Sequence, residues 1–181
     1  MAKLFVIKGE PESGKTTTCW IIYHKLVTEQ HAQEIEPCWS YSTKKPFEED
    51  MVRNFPSFID VKNEEQEDFH VTLQLKGKTI GLCSRGDYVN VLYDYITENQ
   101  QLDYIICCPR VNGNLSVFYR VRKKLPANSF ISENSVATQK IDITGLSNAD
   151  ANQKTLALAE KAADAIIGKL LADIEAATQN A

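Results

Sequence analysis

Apolar and polar positions follow two rhythms along this chain, and their order predicts the fold. Near the N-terminus Leu4, Phe5, Val6 and Ile7 form an unbroken apolar run. So short a run, closed by a glycine-containing loop, suits a strand buried on both faces. Beyond the loop, Cys19, Ile22 and Leu26 recur at spacings of three and four, which predicts a helix over about 15–30. At 69–76 the rhythm changes to period two, with Phe69, Val71, Leu73 and Leu75 alternating with His70, Thr72, Gln74 and Lys76. That is a strand with one buried face, and Gly77 supplies a turn into a hairpin partner over 79–83.

The segment 84–87 ends that strand and opens a helix carrying Val89, Leu92, Tyr93 and Ile96 on one face. Residues 104–108 read as another buried strand, stopped by Pro109, and 110–125 as part helix and part loop. A weak strand over 136–143 precedes Ser147, an N-cap candidate for a long helix. The apolar stripe of that helix is Leu156, Ala159, Ala163, Ile166, Ile167, Leu170 and Ile174. Strands alternating with helices predict an α/β three-layer sandwich. Its sheet should be mostly parallel with one antiparallel hairpin strand, and helices should cover both faces. Only 31–68 resists this reading; it is expected to be an irregular, acidic, aromatic-containing insertion.

Composition narrows the class. The 181 residues suit a single domain over 1–181, and 43% hydrophobic content excludes a disordered or low-complexity chain. A net charge of −4 argues against a general nucleic-acid or membrane-surface binder. With no long apolar run and no leader-like start, a soluble cytoplasmic protein is expected. The five cysteines are odd in number and lack Cys-x-x-Cys spacing, which predicts reduced, buried thiols. His24, His31 and His70 lie too far apart in sequence to suggest a metal site.

One segment carries chemistry. Gly9-Glu10-Pro11-Glu12-Ser13-Gly14-Lys15-Thr16 matches the phosphate-binding pattern G-x-x-x-x-G-K-[ST] at every defined position. Its glycines let backbone N–H groups turn inward to phosphate oxygens, and the following helix adds its positive end. Lys15 brings a charge to the β- and γ-phosphates, and the Thr16 hydroxyl can ligate Mg²⁺. The cradle is expected to run from Gly9 through Thr17.

On these residues the stretch 3–18 resembles the P-loop nucleoside-triphosphate hydrolase superfamily. The resemblance implies Mg²⁺–nucleotide binding and transfer of the γ-phosphoryl group to water or to an acceptor. It also implies a metal-side acid at the carboxyl end of a neighbouring strand. Here the strand over 79–83 runs into Cys83-Ser84-Arg85-Gly86, so Cys83 stands where a GTPase-like D-x-x-G would place its aspartate. Asp87, with Ser84, is the candidate on the metal side, although an Asp before a helix also serves as an N-cap. Asp103 begins its strand, at the wrong end, and Asp60 lies in the irregular segment. The chain has no N-K-x-D, the guanine-reading pattern of GTPases, which favours ATP.

Residues 110–124 hold five bases and no acid. Arg110 and Arg120, together with Arg85, are candidates to meet charge on the γ-phosphoryl, with Gly113 as a hinge. A solvated basic face and a nucleic-acid patch are the alternatives for this segment. Three functions follow. The first is ATP hydrolysis. The second is a nucleotide or small-molecule kinase with 110–124 as lid and 39–58 holding the acceptor. The third is a non-hydrolysing nucleotide-binding sensor, or a module that binds a protein partner. A membrane partner is not expected.

Overall fold

The six strands are Lys3–Lys8 (β1), Gln33–Ser40 (β2), Phe69–Leu75 (β3), Lys78–Cys83 (β4), Tyr104–Cys107 (β5) and Ser135–Ala137 (β6). The helices are Lys15–Thr28 (α1), Val89–Glu98 (α2), Val117–Lys124 (α3) and Asn148–Gln179 (α4). They come from a computed structural model that describes residues 2–10, 13–47, 67–111, 116–126, 134–138, 140, 142 and 144–179. The strands form one sheet in the order β2-β3-β4-β5-β1-β6.

The sheet is mixed. β1 pairs in parallel with β5 and β6, and β4 pairs in parallel with β5. The expected parallel arrangement therefore holds for the β4-β5-β1-β6 half. In the other half β3 runs antiparallel to both β2 and β4. Register decides what meets at the loop after β1. Val6 and Cys83 both pair with Cys107, and Cys83 pairs with His70. One edge of the sheet thus collects the ends of β1, β4 and β5 with the beginning of β3.

Alternating side chains feed two cores. On one face Phe5, Ile7, Phe69, Val71 and Ile106 pack with Cys19, Ile22 and Leu26 of α1 and with Ala163, Ile166 and Leu170 of α4. On the other, Leu4, Val6, Ile105 and Cys107 pack with Leu92 and Ile96 of α2 and with Phe118 and Val121 of α3. Each such fully buried Leu, Ile or Phe contributes about 1.5–3 kcal/mol. Helices accordingly cover both faces. Ser147 caps α4 as expected, accepting the Asp150 N–H at 3.1 Å.

Three boundaries differ from expectation. β2 lies inside the segment read as irregular. Register shifts around Glu36 break its alternation, and Gln33 to Pro37 are exposed, which hides a strand from a pattern search. β6 is shorter than 136–143, and α2 begins at Val89, after the loop over 84–88. All five cysteines are buried and free. Among the described residues no helix is long and apolar enough to cross a membrane. Most of the acidic run, 48–66, lies outside the described residues.

Candidate functional site

The loop between β1 and α1 is built as its sequence requires. A Cβ at Gly9 would overlap the hydroxyls of Ser13 and Thr138, which bond to each other at 2.8 Å. Gly14 adopts φ 74° and ψ 21°, the left-handed region that favours glycine. It is the N-cap of α1 and has no side chain to cap the first turn, so the positive helix end faces the loop. The α1 ladder starts at once, with the Thr18 N–H donating to the Gly14 carbonyl at 2.8 Å.

Lys15 is buried, and its ammonium curls back to donate to the Glu10 carbonyl at 2.6 Å. Burial pushes its pKa below the usual lysine range; Asp87 and Asp68 oppose that shift, and Arg110 adds to it. Thr17 is buried behind the loop. Pro11 and Glu12, expected in the cradle, lie outside the described residues.

The acid beside Thr16 is Asp68. Thr16 Oγ1 donates to Asp68 Oδ1 at 3.1 Å, and Ser84 Oγ donates to the same oxygen at 3.0 Å. Ser84 is fixed in turn, because its hydroxyl accepts the Phe69 N–H at 2.8 Å and its own N–H donates to the Phe69 carbonyl at 2.9 Å. Burial raises the Asp68 pKa. The Ser84 and Thr16 hydroxyls and the Arg85 charge work against that rise, while Asp87 reinforces it. Sequence reasoning counted Asp68 only as one acid of an acidic run. A usable signal was present: it directly precedes the period-two strand, and the start of one hairpin strand lies beside the end of its partner.

Asp87 is placed differently from the metal-side role expected of it. It is exposed and turns to Arg110, whose Nη2 donates to Oδ2 at 3.0 Å while Nε lies 2.9 Å from Oδ1. Nor does it cap α2, whose N-cap is Tyr88 with no side-chain hydrogen bond. Arg85 is stacked between the rings of Tyr41 and Tyr88, 5.1 and 5.0 Å from their centroids. Its charge still reaches Asp68. Arg120 is exposed on α3. That helix is anchored through buried Val117, Phe118 and Val121, so the basic segment is in part a packed helix. Cys83 is fully buried within 3.3 Å of the Tyr41 hydroxyl, and burial pushes its thiol up to about 12. Asp103 sits at the far edge of the sheet with Thr79 and Lys78. Asp60 and Gly113 lie outside the described residues.

The Thr16, Ser84 and Asp68 oxygens are hard donors that fit Mg²⁺. Among the described residues no group of three or more His, Cys, Asp or Glu side chains could hold a metal alone. Mg²⁺ is commonly held by one or two protein oxygens, with water and substrate phosphates completing its shell. In comparisons with known proteins, the chain matches no family model, no curated protein and no solved structure.

Proposed function

We propose that this chain binds a magnesium–nucleoside triphosphate in the 9–17 loop, ATP before GTP, and passes the γ-phosphoryl group to water. The observation that carries the reading is the Thr16–Asp68 contact: a hydroxyl at the first turn of α1 meets a carboxylate at the head of β3, beside the buried Lys15. A glycine loop alone is a turn. The same loop with a buried ammonium and a hydroxyl–carboxylate pair at its rim has the parts that a phosphate chain and its metal require.

Each group has a defined task in this reading. Loop N–H groups and the α1 end receive the β-phosphate, and Lys15 leaves the Glu10 carbonyl to bridge the β- and γ-phosphates. Thr16 and Asp68 would hold Mg²⁺, with Ser84 orienting the carboxylate. When bound, the ion supplies charge neutralisation on the β- and γ-oxygens. Arg110 and Arg85 stand nearby as further cations for developing charge. The resemblance to P-loop nucleoside-triphosphate hydrolases supports the same assignment.

Calorimetry with ATP and with GTP, each with Mg²⁺, tests the reading directly, alongside phosphate release. Binding should weaken by about 30-fold or more in Lys15→Ala, since a buried charge pair is lost. If neither nucleotide gives heat with the wild-type chain, or Lys15→Ala binds equally well, the proposal fails.

A further inference from the structure

Two connections meet beside the phosphate loop, and neither belongs to it. Arg110 stands where the chain leaves β5. Its N–H donates to the Gly86 carbonyl at 3.0 Å, and the next N–H, of Val111, donates to the Gly9 carbonyl at 2.9 Å. The Arg110 backbone is therefore pinned between the first residue of the loop and the turn after β4. Asp87 directly follows Gly86, so both partners stand on fixed backbone. The guanidinium reaches the Asp87 carboxylate across the remaining gap: Nη2 donates to Oδ2 at 3.0 Å, and Nε lies 2.9 Å from Oδ1 without hydrogen-bond geometry, a donor that this carboxylate leaves unsatisfied. Both charges reach the site, since each acts on Lys15 and Asp87 also acts on Asp68.

A guanidinium recognises a carboxylate and a phosphoryl group in the same way, through two parallel N–H bonds to two oxygens on one edge. The phosphoryl group carries the larger charge. We propose that Asp87 is an internal stand-in for a terminal phosphoryl group, holding Arg110 until a triphosphate displaces it. Asp87 is then a specificity-determining residue that adjusts how strongly the site prefers a triphosphate to a diphosphate. This inference rests on the proposed nucleotide site and adds to it the residue that regulates it.

The physical setting favours exchange. Side-chain exposure is 37% for Arg110 and 45% for Asp87, and ion pairs open to water to that degree are weak. An incoming γ-phosphoryl group meets one cation that is already occupied and one anion that repels it. Removing the anion should relieve both obstacles for a triphosphate. A diphosphate has no group to place there and should respond little.

The test measures affinity for a non-hydrolysable ATP analogue and for ADP, both with Mg²⁺, in wild type, Asp87→Asn, Arg110→Gln and the double variant. Thermal unfolding establishes that each is folded, and Asp87→Ser serves as an independent second substitution. Asp87→Asn should tighten the triphosphate by about three- to tenfold and change ADP by less than about twofold. Arg110→Gln should lower the triphosphate preference, and adding Asp87→Asn to it should give a smaller gain than in wild type, since only the direct repulsion is then relieved. If wild type binds both nucleotides but Asp87→Asn leaves their ratio unchanged, the stand-in is wrong and the site survives. An Asp87→Asn effect that is undiminished without Arg110 also overturns it. If wild type binds neither nucleotide, the site itself fails and takes this inference with it.

Discussion

Asp68 and Asp103 stand at opposite edges of one sheet, and their surroundings treat the two carboxylates in opposite ways. Asp103, at the start of β5, accepts the Thr79 N–H at 2.9 Å and the Thr79 hydroxyl at 3.0 Å, with Lys78 Nζ at 3.2 Å. Burial works against its charge, but those donors outweigh it and hold the pKa below the usual carboxylate range. Asp68 has two hydroxyl donors, yet burial wins there and the pKa rises. One edge uses its acid to tie β4 to β5. The other holds an acid whose burial the Ser84 and Thr16 hydroxyls do not offset.

Glycines repeat the contrast and give the largest expected effect. At the site edge, a Cβ on Gly86 would overlap the Cys108 carbonyl and crowd Pro109, both backbone. Gly86→Ala should therefore force β4 and β5 apart where Arg110 is pinned, costing about 3 kcal/mol or more. At the opposite edge Gly77 has φ +76°, and a methyl group added there would meet nothing within 4 Å. Gly77→Ala meets only left-handed strain, about 1 kcal/mol. Urea unfolding of the pair measures both, and equal losses would contradict the tight seam at Gly86.

The two edges also differed in how readable they were. The glycine loop after β1 was legible because its determinants are consecutive, and Gly9 and Gly14 stand where close approach and a positive φ require glycine. The β3–β4 hairpin was legible because period two and a glycine turn are local as well. Asp68 was not, because its meaning depends on Thr16, 52 positions away, and on hairpin register. Asp87 looked like a metal-side acid or a cap; its partner Arg110 lies 23 positions on and reaches it only once β4 and β5 are paired. β2 was missed because Glu34, Glu36 and Pro37 break the alternation that marks a strand. Elements followed from short-range pattern, whereas the acid at the site followed from a long-range pairing.

Asp68→Asn sharpens the comparison on the ligand side. It removes the charge but keeps a side chain of the same shape, so Thr16 and Ser84 retain a hydrogen-bonding partner. The Mg²⁺-dependent part of ATP affinity should fall by about 10- to 100-fold, while metal-free affinity changes little. Asp103→Asn, remote from the loop, should leave both unchanged. A Mg²⁺ titration of ATP binding in the two variants decides it, and an undiminished Mg²⁺ response in Asp68→Asn would remove Asp68 from the metal side.

The smallest effect is on stability, and there the sign separates the acids. A carboxyl whose folded pKa lies below its unfolded value contributes stability that is complete above the unfolded pKa, about 3.9 for Asp. That contribution is lost as pH falls through the folded value. Asp103 is of this kind, so Asp103→Asn should cost about 0.5–1 kcal/mol at neutral pH, at the low end because the carboxylate is about a third exposed. The deficit should shrink as pH drops below about 4. Asp68 has the opposite sign: its raised folded pKa means that ionisation weakens the native state as pH rises through the interval between the two values. Without Mg²⁺, Asp68→Asn should therefore leave neutral-pH stability equal or higher. Urea midpoints for the two variants at neutral and acid pH measure both signs. A larger neutral-pH loss in Asp68→Asn than in Asp103→Asn would mean that the buried carboxylate is a structural tie like its counterpart, and the contrast between the edges would fail.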